Sequence, residues 1–95
     1  MKTIKPTAFP VESELATAQP LGAAVRAART QAGLTLDQAA SALGVAKQTL
    51  QDLEHGRGTV SVGFAIRAAR ELGITLFVAR SADKERIRRT IAGEG

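Results

Sequence analysis

Residues 35–56 read TLDQAASALGVAKQTLQDLEHG, two short amphipathic segments joined at a glycine. Thr35 and Gln38 have the spacing of a capping box, and apolar residues then recur at helical spacing as far as Leu43. Gly44 is suited to a left-handed turn, and it opens a connection of only three residues before the next helical run. So short a connection makes two helices meet at a steep angle, which predicts a helix-turn-helix unit.

The second helix of this unit is predicted over Lys47 to about His55, where Gly56 ends it. On a helical wheel of about 100 degrees per residue, Leu50 and Leu53 lie on one face and polar side chains on the other. Lys, Gln and Asp side chains can hydrogen-bond base edges in the major groove, although any solvated surface helix also shows such a face. The polar face consists of Lys47, Gln48, Gln51, Asp52 and His55.

Two longer helices are predicted on either side of this unit, one from Leu21 to the stop at Gly33 and one from the Ser61 cap to Gly73. Residues 74–80 are rich in β-branched and aromatic residues and are predicted to form a strand. Apart from a weak possibility in residues 1–20, no other segment is a good strand, so the simplest partner is the same segment of a second copy across a two-fold axis. The apolar residues assigned to this dimer strand are Ile74, Leu76, Phe77 and Val78.

The two ends of the chain differ from the middle in composition. Residues 1–20 contain all three prolines and are predicted to be a flexible arm, with at most a helical turn around residues 12–17. Residues 81–95 carry mixed charge and are predicted to form a charged tail with a short or frayed helix. The predicted fold is therefore an all-α domain of four to five helices over residues 21–80, with the dimer strand at its end.

Composition narrows the function. The 95 residues fit one domain, and the excess of Lys and Arg over Asp and Glu, 13 against 9, favours anionic partners. The absence of cysteine excludes disulfides, thiolate metal sites and zinc fingers, so we expect no metal and no cofactor. No apolar stretch approaches the roughly 20 residues that cross a bilayer, and no signal region follows Met1. We therefore expect a cytoplasmic protein with no membrane partner.

The twenty residues from Leu36 to His55 resemble the helix-turn-helix of the lambda repressor and Cro-like (XRE) family. Ala40 is the small fifth residue that lets two helices approach, Gly44 is the ninth, and aliphatic residues stand fifteenth and eighteenth. The resemblance extends over residues 21–72. It implies a compact helical domain that binds double-stranded DNA.

The resemblance also implies roles for individual residues. The residues in or beside base-facing positions are Ala46, Lys47, Gln48, Gln51 and Asp52. The residues assigned to phosphate contacts are Thr35, Gln38, Thr49, His55, Arg57 and Thr59, and for His55 the alternative is simple exposure at the helix end. Arg29 and Glu54 are implied to form a structural ion pair, which agrees with the position of Glu54 at the edge of the buried arc. Leu36 departs from the family, which usually has a phosphate-binding Gln there. Gly63, in the first turn of the last predicted helix, also departs from the usual helix former.

The segment 56–63 and the ending LGITLFV at 72–78 resemble the HipB-like antitoxins, in which a strand follows the last helix. That resemblance implies a homodimeric repressor of an inverted-repeat operator, and the antitoxin partner of a HipA-like kinase toxin in an operon that it autoregulates. The alternative is a stand-alone XRE-type regulator without a toxin.

Two other classes of function fit the sequence less well. A protein-binding module without DNA affinity has only the Leu36 departure in its favour. An enzyme is not expected, because one histidine at a helix end and no cysteine leave no credible nucleophile, base or metal triad.

Overall fold

Five α-helices make up most of the regular structure in the computed structural model, which describes residues 3–93. The helices are α1 (Ala18–Gln31), α2 (Leu36–Leu43), α3 (Lys47–Glu54), α4 (Val62–Glu71) and α5 (Lys84–Ile91), with a 3₁₀ turn (Ser81–Asp83) before α5. Over these described residues, no helix is both long and apolar enough to span a membrane. The first two residues of the predicted arm and the last two of the predicted tail lie outside the described residues.

The start of α1 differs from the sequence prediction. The helix begins at Ala18, three residues before the predicted start at Leu21, so the end of the predicted arm belongs to α1. Pro20 fits in this first turn because its missing N–H would have no intrahelical partner there. Residues 12–17, for which at most a helical turn is predicted, form no helix, in keeping with the cost of nucleating one in a short exposed segment.

The predicted helix ends in the helix-turn-helix unit are confirmed. The Thr35 hydroxyl accepts from the Gln38 N–H at 3.1 Å, and the Gln38 side-chain oxygen accepts from the Thr35 N–H at 2.8 Å. Gly44 ends α2 in the left-handed conformation with φ of 69°. Ser61 caps α4 by accepting from the Phe64 N–H at 3.1 Å. The turn between α2 and α3 is therefore set by local sequence.

Small residues let α1, α2 and α3 pack closely around Leu50, which is fully buried. At Gly22 in α1, a Cβ atom would lie 2.2 Å from the Leu53 carbonyl oxygen, so only glycine fits where α1 meets the end of α3. Leu36 packs against this core, which accounts for its apolar character at the start of α2. The buried core consists of Val25, Ala39, Ala40, Leu43, Leu50, Leu53 and Ala68.

Residues 74–80 form neither a helix nor a strand in the single chain. The Ile74 N–H is bonded to the Ala69 carbonyl oxygen at 2.8 Å, and beyond it Phe77 and Val78 are 74% and 100% exposed. A strand needs a hydrogen-bonded neighbour, and no described segment of the same chain supplies one. The strand across a dimer therefore stays a prediction.

The N-terminal segment lies against α1 and α5. The Thr7 N–H donates to the Thr30 hydroxyl at 3.0 Å, and the Gln31 side-chain amide donates to the Thr7 carbonyl oxygen at 2.9 Å. Further along, Glu14 accepts from Arg88 of α5. The tail helix predicted from the sequence is present as α5, and it contacts the N-terminal segment through Arg88.

Candidate nucleic-acid interface

A buried ion pair holds α3 to α1. Arg29 donates through Nε to Glu54 Oε2 at 2.6 Å and through Nη2 to Oε1 at 2.9 Å, and its Nη1 donates to the Leu34 carbonyl oxygen at 2.9 Å. The Arg29 and Glu54 side chains are 11% and 5% exposed. Two parallel charge-assisted hydrogen bonds fix orientation as well as distance. The structure thus brings the predicted pair together, and the pair sets the position of α3.

The opposite side of α3 faces solvent. Ala46, Lys47 and Gln48 at its start are exposed, and Gln51 and Asp52 further along are half-buried. Because Leu50 and Leu53 are anchored in the core, these polar side chains project from a fixed helix. The five predicted base-facing residues therefore lie in or directly before one short, rigidly held helix.

Asp52 joins two other polar residues of this surface. Its Oδ1 accepts from Gln48 Nε2 at 2.9 Å and from Arg57 Nη1 at 2.6 Å. These bonds, first that from Arg57 and then that from Gln48, hold the pKa of the Asp52 carboxyl below its ordinary value. Asp52 is consequently ionised at neutral pH, and the sequence interpretation did not foresee that it binds its own neighbours.

Lys47 makes one weak contact. Its Nζ lies 3.6 Å from Asp37 Oδ2 of α2, and both side chains are more than half exposed. Exposed pairs of this kind contribute little and are screened by salt. Lys47 is therefore available to an anionic partner.

Five of the six residues predicted to contact phosphates fall into two groups, and Thr49 stands apart from both. Thr35 and Gln38 use acceptor atoms in the cap of α2, which leaves the Thr35 hydroxyl hydrogen and the Gln38 NH₂ group as donors. Thr49 is half-buried in the first turn of α3. The second group is exposed at the end of α3 and in the following loop, and it consists of His55, Arg57 and Thr59. Donors thus stand on both sides of the base-facing residues along the chain.

Arg67 of α4 supports the turn, and sequence reasoning missed it. Its Nη2 donates to the Leu43 carbonyl oxygen at the end of α2, and its guanidinium lies 5.9 Å from the centre of the Phe64 ring. A cation at the C-terminal end of a helix satisfies a carbonyl that has no intrahelical partner. Arg67 and Leu43 are 24 residues apart, so no local pattern indicates their contact.

Comparison with known proteins agrees with this geometry. The sequence pattern of the helix-turn-helix family matches residues 25–78, more than half of the chain, and the match includes α2, the turn, α3 and α4. A comparison with curated proteins returns no match. The chain therefore belongs to the helix-turn-helix family, in its lambda repressor/Cro-like (XRE-type) form, and is a DNA-binding transcriptional regulator.

Proposed function

We propose that this protein is a homodimeric repressor that binds an inverted-repeat operator through α3. The observation that carries the proposal is the exposed start of α3, with Lys47 and Gln48, on a helix locked by the buried Arg29–Glu54 pair. A rigid helix with polar side chains along one face is suited to the major groove.

Two kinds of contact contribute to DNA binding, those to base edges and those to phosphates. Base edges are contacted by Ala46, Lys47, Gln48 and Gln51, which supply sequence preference. Phosphates are contacted by donors at the start of α2, in the first turn of α3 and in the loop after it, and these contacts fix the register on the duplex. The phosphate-contacting residues are Thr35, Gln38, Thr49, His55, Arg57 and Thr59.

Dimerisation is supported by an apolar surface formed by the N-terminal segment, residues 74–79 and α5. A groove of about 430 Å³ lies between these parts, and five large apolar side chains around it are about half exposed or more. Such a patch is typical of a contact surface rather than of a monomer's solvated face. These five are Phe9, Leu15, Phe77, Val78 and Ile91. Pairing of residues 74–80 with a second copy would cover it. An inverted-repeat operator requires the two α3 helices of such a dimer to lie about 34 to 36 Å apart, one turn of DNA.

A binding assay on DNA upstream of the protein's own gene tests the recognition helix. We expect Lys47→Ala with Gln48→Ala to abolish selective binding, because each good bidentate base contact contributes about 1 to 3 kcal/mol. Arg57→Ala should weaken binding and lower the slope of log affinity against log salt concentration by about one, because a phosphate contact is lost. Arg89→Ala removes the same charge from exposed α5 and serves as the control. Binding by the double variant as tight and selective as the parent's would refute the role of α3.

The oligomeric state is tested separately. Phe77→Asp with Val78→Asp places charges on the exposed segment after α4, where they contact no core residue of the monomer. We expect sedimentation to show a dimer for the parent and a monomer for this variant, with unchanged helical circular dichroism. A variant that remains dimeric would refute this interface.

The antitoxin role rests on the resemblance of residues 56–63 and 72–78 to HipB-like proteins. Under this proposal the protein also binds a HipA-like kinase encoded beside its gene and neutralises it. Co-purification with that kinase would support the role. A gene without an adjacent kinase would favour the stand-alone regulator, which keeps the same DNA-binding surface.

A further inference from the structure

Three polar residues form a connected group on the DNA-facing side of α3, with Asp52 between Gln48 and Arg57. From this arrangement we propose that Asp52 is a positioning residue: it holds the Gln48 amide in the one orientation that selects adenine over guanine. The inference rests on the proposed function, since it concerns how the same surface chooses its DNA sequence.

The end of α3 brings Arg57 to Asp52. Gly56 adopts φ of +71°, its N–H donates to the Leu53 carbonyl oxygen at 3.0 Å, and the Arg57 N–H donates to the Asp52 carbonyl oxygen at 3.0 Å. This is the Schellman pattern, which places the residue after the glycine beside the third residue from the helix end. A Cβ at Gly56 would lie 2.6 Å from the Gln19 Cα, so α1 also restricts this turn. The position of Arg57 is thus set by backbone, not by a mobile loop.

The chemistry of Asp52 decides which way the Gln48 amide points. An ionised carboxylate only accepts hydrogen bonds, so Gln48 must present its NH₂ group to Asp52 and direct Oε1 elsewhere. The Asp52 side chain is 23% exposed, and Arg57 donates to the same Oδ1 at 2.6 Å, which restrains the carboxylate. Among residues 3–93 the Gln48 amide makes no other side-chain hydrogen bond. Its Oε1 and its second N–H are therefore left for a base.

In this orientation Gln48 offers one acceptor beside one donor, which matches the N6 donor and N7 acceptor of adenine in the major groove. Gln48 Oε1 can accept from adenine N6 while the second Nε2 hydrogen is donated to N7. Guanine presents two acceptors, O6 and N7, so Oε1 would face an acceptor there. A Gln without a fixed neighbour can turn its amide over and offer Nε2 to guanine, but the bond to Asp52 opposes this rotation. Holding the side chain before binding also lowers the entropy lost on contact.

Selection of bound duplexes from a random library, followed by sequencing, tests this proposal. Gln48→Ala identifies the base pair that Gln48 contacts, because preference for A·T disappears there. Asp52→Asn keeps the shape but can donate as well as accept, so it no longer fixes the amide. We expect it to lower the A·T over G·C preference at that same base pair by about fivefold or more, the lower range of a bidentate contact.

Controls separate positioning from charge and from folding. Adding Asp52→Asn to Gln48→Ala should change the preference no further, whereas Asp52→Glu, which keeps a carboxylate within reach, should retain most of it. Glu71→Gln removes the same charge on α4, away from α3, and should leave the preference unchanged. Thermal melting checks that each variant is folded.

Three outcomes would overturn the proposal. The first is an unchanged A·T preference in Asp52→Asn. The second is a loss of preference at a different base pair, which would mark direct contact of Asp52 with cytosine. The third is an additional loss of preference when Asp52→Asn is added to Gln48→Ala. Failure of the parent to enrich any sequence is a distinct result, because it refutes the proposed DNA recognition itself.

Discussion

The helices α1 to α4 and the layer formed by residues 3–17, 74–80 and α5 are held by different forces. In the first part, Leu50 and its neighbours are buried and the Arg29–Glu54 pair is almost fully enclosed. In the second, Arg88 pairs with Glu12, Glu14 and Glu85 at half-exposed positions, while large apolar side chains face solvent.

The difference is that the apolar side chains of α1 to α4 are largely covered, whereas those of the outer layer (residues 3–17, 74–80 and α5) are not. The α3 helix is positioned by buried contacts within one chain, among them the Arg29–Glu54 pair. The outer layer leaves large apolar side chains such as Phe77 and Val78 exposed, and the proposed dimer would cover them. The four predictions that follow test the contrast, from the largest expected effect to the smallest.

Glu54→Ala should be the most damaging change to the inner part. It leaves the Arg29 guanidinium buried without its partner, which costs about 3 to 5 kcal/mol in the free energy of unfolding. Chemical denaturation measures this loss. Glu71→Ala breaks the half-exposed pair with Arg67 and should change the same quantity by about 0.5 kcal/mol or less. Equal effects of the two variants would contradict the contrast between buried and exposed pairs.

Gly22→Ala tests the close approach of α1 to α3. The added Cβ would meet backbone oxygens of Leu53 and Glu54 at 2.2 and 2.7 Å, so we expect a loss of about 1 to 3 kcal/mol in stability. At Gly63 a Cβ has no neighbour within 4 Å, and Gly63→Ala should stabilise α4 by up to about 1 kcal/mol. Thermal melting of both variants gives opposite signs if the two sites differ as described.

Arg88→Ala should destabilise the packing of residues 3–17 against α5 and leave α1 to α4 unaffected. Arg88 donates to Glu14, donates to Glu85 at 2.5 Å and lies 3.4 Å from Glu12. Without it, amide hydrogen exchange should accelerate in residues 3–17 and α5 while α1 to α4 keep their protection. Arg89→Ala, on the same helix and exposed, is the matched control. Loss of protection in α3 would show that the two parts are not independent.

Acid should loosen the N-terminal segment. A hydrogen bond from the Glu14 N–H, at 2.7 Å, and the nearby Arg88 charge hold the pKa of Glu12 below its ordinary value. Because the pKa of Glu12 is lower in the folded protein, its ionised carboxyl stabilises the folded state. This stabilisation is fully present above the ordinary Glu range and is lost as pH falls through the folded pKa. Carbon-13 titration of the Glu12 carboxyl measures it, and the Glu12 pKa should rise in Arg88→Ala. An unchanged Glu12 titration in that variant would remove Arg88 as a contributor.

Local sequence was enough to predict the helix-turn-helix, because its signals act within a few residues. The Thr35 and Gln38 cap, the left-handed Gly44 and the apolar spacing of α2 and α3 are short-range features, and the structure contains each of them. The start of α1 was misplaced because a proline in a first turn was taken as a barrier.

The contacts of the candidate site were harder to predict. Two local features do indicate the contacts of Asp52. Gln48 and Asp52 are four residues apart on one helix, and Gly56 ends that helix so that Arg57 returns to Asp52. Contacts such as Arg67 to Leu43 and Thr7 to Thr30 join residues more than 20 positions apart, where no spacing rule applies.

The sequence by itself determined the order of helices, the tight turn and the family, because capping, glycine conformation and helical periodicity are properties of neighbouring residues. Only the tertiary structure decided that Asp52 accepts from both Gln48 and Arg57, that the packing of α1 on α3 permits no side chain at Gly22, and that Glu14 of the N-terminal segment pairs with Arg88 of α5. Such contacts depend on where the helices cross and on which atoms the crossing brings to within about 3 Å, the distance at which hydrogen bonds form.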